Sequence, residues 1–124
     1  MKILILNGPN LNLTGIRETS IYGVSTFGEL LRSLQSAYPD VEFVYYQSNI
    51  EGELIDKLHE FGFSAAGIIF NAGAYSHTSV ALGDAVRAIK APVIEVHLSN
   101  VFARESYRHV SHISPWVKGY ICGF

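Results

Sequence analysis

A three-layer α/β fold built around one parallel sheet is what this chain predicts, and three observations carry that prediction. Short apolar runs alternate with amphipathic segments along the 124 residues, each run ends in a polar or glycine-containing turn, and the first run, Ile3-Leu4-Ile5-Leu6, is continuously apolar. A strand covered on both faces by helices needs a continuous run of this kind, whereas a strand with one wet face alternates. Hydrophobic residues make up 48% of the chain and charged residues 16%, the balance of a compact domain rather than a disordered chain. The length accommodates one domain, 1–124, and leaves no room for a second.

The elements follow in order. The first strand ends in Asn7-Gly8-Pro9-Asn10-Leu11-Asn12-Leu13, a polar loop with two breakers. Thr14 to Gly23 has no clear periodicity, and a loop of that length between strand and helix is uncommon unless it is functional or disordered. Thr26-x-x-Glu29 reads as a capping box for a helix with Phe27, Leu30, Leu31 and Leu34 on one face, ending at Tyr38-Pro39-Asp40. The second strand is Val41 to Tyr46, closed by Gln47-Ser48-Asn49, and the second helix runs from Glu51 to Phe61 with Leu54, Ile55 and Leu58 facing in and Gly62 as its stop.

Ile68, Ile69 and Phe70 form the third strand. Asn71-Ala72-Gly73-Ala74 turns it into a helix that Ser76 or Thr78 caps, with Leu82, Ala85, Val86 and Ile89 at helical spacing. Free N–H groups at such a turn favour anions. Pro92 to Val96 is the fourth strand, His97-Leu98-Ser99-Asn100 its terminal loop, Val101 to Ser114 an irregular stretch with a short helix near Ala103-Arg104-Glu105, and Gly119 to Cys122 a fifth strand. Alternating strands and helices imply right-handed crossovers and a parallel sheet covered on both faces. Five strands in this length fit the flavodoxin-like order 2-1-3-4-5. That order gathers the carboxyl ends of strands one, three and four, and with them Asn7 to Asn10, Asn71 to His77 and His97 to Asn100, at one edge.

A net charge of −2 without a basic cluster leaves no footprint for nucleic acid or an anionic membrane surface. Cys122 is the single cysteine and lies in an apolar run, which excludes an internal disulfide and fits a structural thiol in a reducing compartment. With no apolar run near ~20 residues and no signal-peptide pattern, the expectation is a soluble, cytoplasmic protein.

No metal site is expected, because His97 and Glu95 lack a third ligand at useful spacing and His109 and His112 sit in an irregular segment. The Asn7 loop is neither a Walker loop nor a dinucleotide fingerprint, and neither a nucleophile elbow nor a CxxC is present. What remains is Tyr, His, Arg, Asn and hydroxyl groups, a set suited to acid–base chemistry on a polyhydroxylated carboxylate. Glu95 reads as a buried acid that satisfies loop backbone or its neighbours, and His59, Arg32 and Arg87 as solvated helix-face residues.

Five motifs in order, Asn7-Gly-Pro-Asn-Leu-Asn-Leu13, Arg17-Glu18 with Tyr22-Gly23, Gln47-Ser-Asn-x-Glu-Gly52, Asn71-Ala-Gly-Ala with His77-Thr-Ser79, and Glu95-Val-His-Leu-Ser-Asn100 with Arg104-Glu105 and Arg108, resemble type II 3-dehydroquinate dehydratase over residues 3–124. The resemblance implies a hydro-lyase that converts 3-dehydroquinate to 3-dehydroshikimate in the shikimate or quinate pathway, with a flavodoxin-like fold, no cofactor and a homododecamer built as a tetramer of trimers. It implies Tyr22 as general base, Arg17 as the residue that activates it, His97 as general acid, and Asn10 as the holder of a water that stabilises the enolate. Asn71, His77, Leu98, Ser99 and Arg108 match substrate-binding positions, and Asp84 matches one reached from a neighbouring subunit.

The chain departs from the family pattern at Thr14, Thr19, Phe102 and Ser106. It also stops at Phe124, where the family continues into a glycine turn and a final helix, so that helix is expected to be absent. The alternatives are an inactive family member or a flavodoxin-like small-molecule binding module.

The Arg17–Tyr22 pairing has an energetic basis. Lowering a tyrosine from about 10 to near 7 costs roughly 4 kcal/mol, and one cation at ~4 Å in an effective dielectric near ~20 supplies about the same. An unrelated class of dehydroquinate dehydratases uses a lysine Schiff base. Lys2, Lys57, Lys90 and Lys118 all fall away from the carboxyl-end edge, so that route is not expected here.

Overall fold

A computed structural model describes residues 1–22 and 25–124, with the backbone alone at Tyr22. Five strands, β1 Lys2–Asn7, β2 Glu42–Gln47, β3 Gly67–Asn71, β4 Val93–His97 and β5 Gly119–Cys122, form one sheet in the order β2-β1-β3-β4-β5. Every neighbouring pair is parallel. The α/β class, the strand count and the flavodoxin-like order are therefore as the periodicity predicts. The helices are α1 Thr19–Tyr22, α2 Phe27–Ala37, α3 Glu51–Phe61 and α4 Val80–Ala88. The single turn of α1 falls in the stretch without periodicity, since four residues are too few to set up a repeat.

The two faces of the sheet are covered unequally. Leu4, Leu6, Ile68, Phe70 and Val93 point to one face and join Leu54 and Leu58 of α3, Leu82, Ala85 and Val86 of α4, and Ile113 in a single buried cluster. On the other face Phe27 of α2 stacks on Tyr45 of β2 with ring centres 4.9 Å apart. No residue of α2 is fully buried, and Leu30 is exposed. Two-sided cover, expected from the apolar strands, is thus tight on the α3–α4 side and loose on the α2 side.

Three local differences from the sequence reading affect the site. The α4 cap is Ser79, whose Oγ accepts the Leu82 N–H at 3.0 Å, rather than Ser76 or Thr78. A 3-10 turn, Gly73–His77, intervenes between β3 and the cap, and apolar spacing carries no signal for a turn this short. Secondly, β4 includes His97, because Cys122 of β5 pairs with it in register. The strand thus lasts long enough for Glu95 and His97, two apart, to share a face. Thirdly, residues 101–116 hold three 3-10 turns, Val101–Ala103, Ser106–His109 and Ser114–Trp116, in place of one short helix.

The last of these segments is pressed onto α4 at Gly83. A Cβ there would lie 2.3 Å from the His112 carbonyl oxygen. Gly83→Ala should therefore destabilise the fold by about 1–3 kcal/mol through overpacking against backbone, even though alanine favours a helix by about 1 kcal/mol. A urea midpoint that stays level or rises in this variant would contradict the close approach.

Candidate active site

Parallel strands in this order bring their carboxyl ends to one edge, and a cleft opens there between the loops after β1, β3 and β4 and the turns of residues 101–109. Asn10 and Arg17 line it from the β1 side, Asn71 and His77 from β3, and His97, Leu98 and Ser99 from β4. Arg108 closes the rim. Eight of the ten residues singled out from the sequence are thus brought together. Asp84 is exposed on α4 and is not among the lining residues. The Tyr22 side chain lies outside the described residues. None of the four lysines lines the cleft among the described residues.

The β1 loop is braced from β2. Gln47 Nε2 donates to the Gly8 carbonyl at 3.1 Å, and Asn49 Oδ1 accepts the Asn10 N–H at 3.0 Å. Asn10 sits at φ 69°, a left-handed conformation that asparagine tolerates better than most residues. Gly8 lets this loop touch the β3 loop, since a Cβ there would be 2.5 Å from the Ala72 carbonyl oxygen. The Gln47-Ser48-Asn49 motif therefore acts on the cleft indirectly, by holding the loop that carries Asn10.

Donor and acceptor roles follow from the partners. The Gly73 N–H donates to Asn71 Oδ1 at 3.1 Å, which leaves the Asn71 amide N–H groups for a ligand. His77 Nδ1 lies 2.7 Å from the Val110 carbonyl, which can only accept, so Nδ1 carries the proton. Burial lowers the His77 pKa below its ordinary value, with the His97 and Arg108 charges adding to that and the Val110 carbonyl opposing it. A neutral His77 presents Nε2 as an acceptor, the form that receives a hydroxyl proton. The α4 N-terminus, favoured from sequence as the anion-binding feature, is already capped by Ser79. Positive charge in the cleft comes instead from Arg17, Arg104 and Arg108.

Two residues that carried no role in the sequence reading organise those guanidinium groups. Arg104 lines the cleft and donates to Ser99 Oγ at 3.3 Å. Glu105 accepts from Arg108 Nε at 2.7 Å and lies 4.0 Å from Arg104 Nε. Its own backbone N–H and Arg108 hold the Glu105 carboxyl down to about 2. The signal available in the sequence was the i, i+4 spacing of Arg104 and Arg108 around an acid. On the opposite rim Arg17 pairs with Glu18 at 2.7 Å.

Beneath the cleft floor Glu95 is fully buried and His97 nearly so. Among the described residues Glu95 satisfies its neighbours, one of the two roles expected of it. Its Oε1 accepts from Ser111 Oγ at 2.6 Å and its Oε2 from Ser114 Oγ, while His97 Nε2 lies 3.8 Å from Oε1. That last distance is too long for a direct hydrogen bond, so the contact between the carboxylate and the imidazole is electrostatic. Burial pushes the Glu95 carboxyl up, yet His97 and the two hydroxyls outweigh it and hold the group below its ordinary value. The His97 ring lies between His77, 6.0 Å away, and Tyr120, 5.5 Å away. No three His, Cys, Asp or Glu side chains are grouped as a metal site among the described residues.

Known proteins share this arrangement throughout. A family model described as dehydroquinase class II matches residues 1–124. The protein called 3-dehydroquinate dehydratase 1 in Agrobacterium fabrum is 54% identical over 124 residues, which cover 98% of this chain and 86% of the relative. The 3-dehydroquinate dehydratase of a Synechocystis species is 51% identical over 125 residues, 99% of this chain and 82% of the relative. The crystal structure of a type II dehydroquinase from Butyrivibrio crossotus superposes with a TM-score of 0.94 at 45% identity, covering 99% of this chain and 88% of the other. A match of this extent leaves no part of the cleft outside the shared fold: the chain belongs to the dehydroquinase class II family.

Proposed function

We propose that this chain is a single catalytic domain that removes water from 3-dehydroquinate to give 3-dehydroshikimate, in the shikimate pathway of aromatic amino acid biosynthesis. The observation that supports it most is one cleft holding Arg17, Asn10, His77, His97, Ser99 and Arg108 in a chain matched to the family from end to end. Tyr22 takes the proton from the carbon next to the substrate carbonyl, and the C–H electrons pass into an enolate. Asn10 holds the water that stabilises the enolate oxygen. The enolate then expels the β-hydroxyl, which leaves as water with a proton from His97. Arg17 favours the Tyr22 phenolate, and its partner Glu18 is half exposed, so solvent screens much of the opposing charge. Arg108, with Ser99, Leu98 and Asn71, holds the carboxylate end, and His77 accepts from a ring hydroxyl. No cofactor enters this scheme. The free, half-buried Cys122 fits a cytoplasmic enzyme.

Adding 3-dehydroquinate to the protein should raise the absorbance of the enone product, and Tyr22→Phe should abolish that rise while leaving substrate binding largely intact. General-base catalysis is worth roughly 10²–10⁴-fold, so a variant keeping more than about a tenth of the rate would remove Tyr22 from the mechanism.

Arg108→Ala should act on affinity. Loss of a charge-assisted pair costs about 2 kcal/mol, close to thirtyfold in the dissociation constant of a carboxylate inhibitor measured by calorimetry. An unchanged constant would take Arg108 off the binding list.

Asp84 reaches a neighbouring copy's cleft in this reading, which accounts for its exposure on α4. The assembly is accordingly a homo-oligomer of trimers, a dodecamer when complete. Sedimentation velocity should find trimers or their multiples, and a fully active monomer would refute the assembly.

A further inference from the structure

The Glu95 carboxylate is held by two hydroxyls, and the proton of one of them, Ser111, has nowhere else to go. Ser111 Oγ accepts the Ile113 N–H at 3.1 Å and the Ser114 N–H at 3.2 Å, which occupies both of its lone pairs. Its one proton is therefore committed to Glu95 Oε1, 2.6 Å away. Ser114 donates to the other oxygen, Oε2. The segment that carries both serines is fixed in turn. The His112 N–H donates to the Ser76 carbonyl at 2.8 Å, Ile113 is fully buried, and Gly83 lets the His112 carbonyl approach α4. With Ser111 able only to donate to Oε1 and Ser114 bonded to Oε2, the two hydroxyls set which oxygen is turned toward His97.

His97 Nε2 lies 3.8 Å from Glu95 Oε1. The groups that face it are His77 on the 3-10 turn after β3, Glu95 on its own strand, Tyr120 and Cys122 on β5, and Arg17, Arg104 and Arg108 across the cleft. Burial pushes the Tyr120 hydroxyl up so that it stays neutral. Glu95 is the carboxylate in this group. We propose that Ser111 and Ser114 are positioning residues for the dehydration: they aim the Glu95 carboxylate at His97 and through it hold the imidazole in place as the acid for the departing hydroxyl.

This inference rests on the dehydratase reading, and the test separates the two. Steady-state kinetics with 3-dehydroquinate are measured for the wild-type chain, Ser114→Ala, Ser111→Ala/Ser114→Ala and Ser114→Thr. The double variant should lose kcat by about tenfold or more with KM within about twofold, the signature of a group that acts on the transition state. Ser114→Ala keeps the Ser111 turn intact and should show the same changes to a smaller extent, which covers a double variant that fails to fold. Ser114→Thr keeps the hydroxyl and should return kcat to within about threefold of wild type. A folded alanine variant with kcat unmoved overturns the positioning role while leaving the dehydratase reading in place. A wild-type chain without turnover overturns both.

Discussion

A carboxylate buried to 0% exposure is the constraint around which the active edge is arranged. An ion taken out of water is tolerated only where hydrogen bonds and a counter-charge replace its hydration. In this chain those come from three places in sequence, the β4 terminus at His97 and the hydroxyls of Ser111 and Ser114. Meeting them draws residues 111–114 against the sheet, where Ile113 completes the apolar cluster and His112 abuts Gly83 of α4. A polar requirement and an apolar one are satisfied by the same four residues, so neither can relax independently of the other.

The cleft above has the opposite character. Three guanidinium groups border it, and two of them are held by acids at its rim, Arg17 by Glu18 and Arg108 by Glu105. These acids are half exposed, whereas Glu95 lies beneath the floor. Exposed partners orient a guanidinium but, screened by water, neutralise little of its field. The cleft therefore keeps a positive potential for an anionic substrate, while the buried carboxylate acts mainly on the nearby imidazole. Burial, more than the number of charges of each sign, sorts their roles.

Much of this was legible in the sequence, for identifiable reasons. Continuous apolar strands and amphipathic helices have periods that survive in a single chain, so the five-stranded sheet and its order could be read from it. The convergence of Asn10, Asn71, His77, His97 and Ser99 follows from that order, because each lies in or just beyond a carboxyl end, whereas Arg108 was marked only by the family resemblance. What escaped lacks a period. The Gly73–His77 turn displaces the α4 cap to Ser79, and the three turns after Asn100 and the residues between them carry Arg104, Glu105, Ser111 and Ser114. A strand one residue longer than its apolar run puts His97 on the face of Glu95. Such a shift is set by pairing with β5, a non-local contact that no window on the sequence contains.

The loops that carry the site residues are also more firmly tied than their composition implies. The loop after β1 is bound by Gln47 and Asn49 from β2 and by the Asn71 carbonyl, which accepts the Gly8 N–H at 2.7 Å. Tyr75 fastens the turn after β3 to the Asn49 carbonyl at 2.7 Å. The loop after β4 is held to the chain end by the Gly123 N–H donating to the Ser99 carbonyl at 3.1 Å. Each loop is thus anchored at the end of another strand rather than by its own short stem. Side chains held this way keep their positions before a ligand arrives, so ordering them takes less of the binding energy. The same ties give a physical meaning to the family's polar motifs: Gln47, Asn49 and Gly8 touch no reacting atom in the proposed mechanism, yet the positions of Asn10 and Asn71 depend on them.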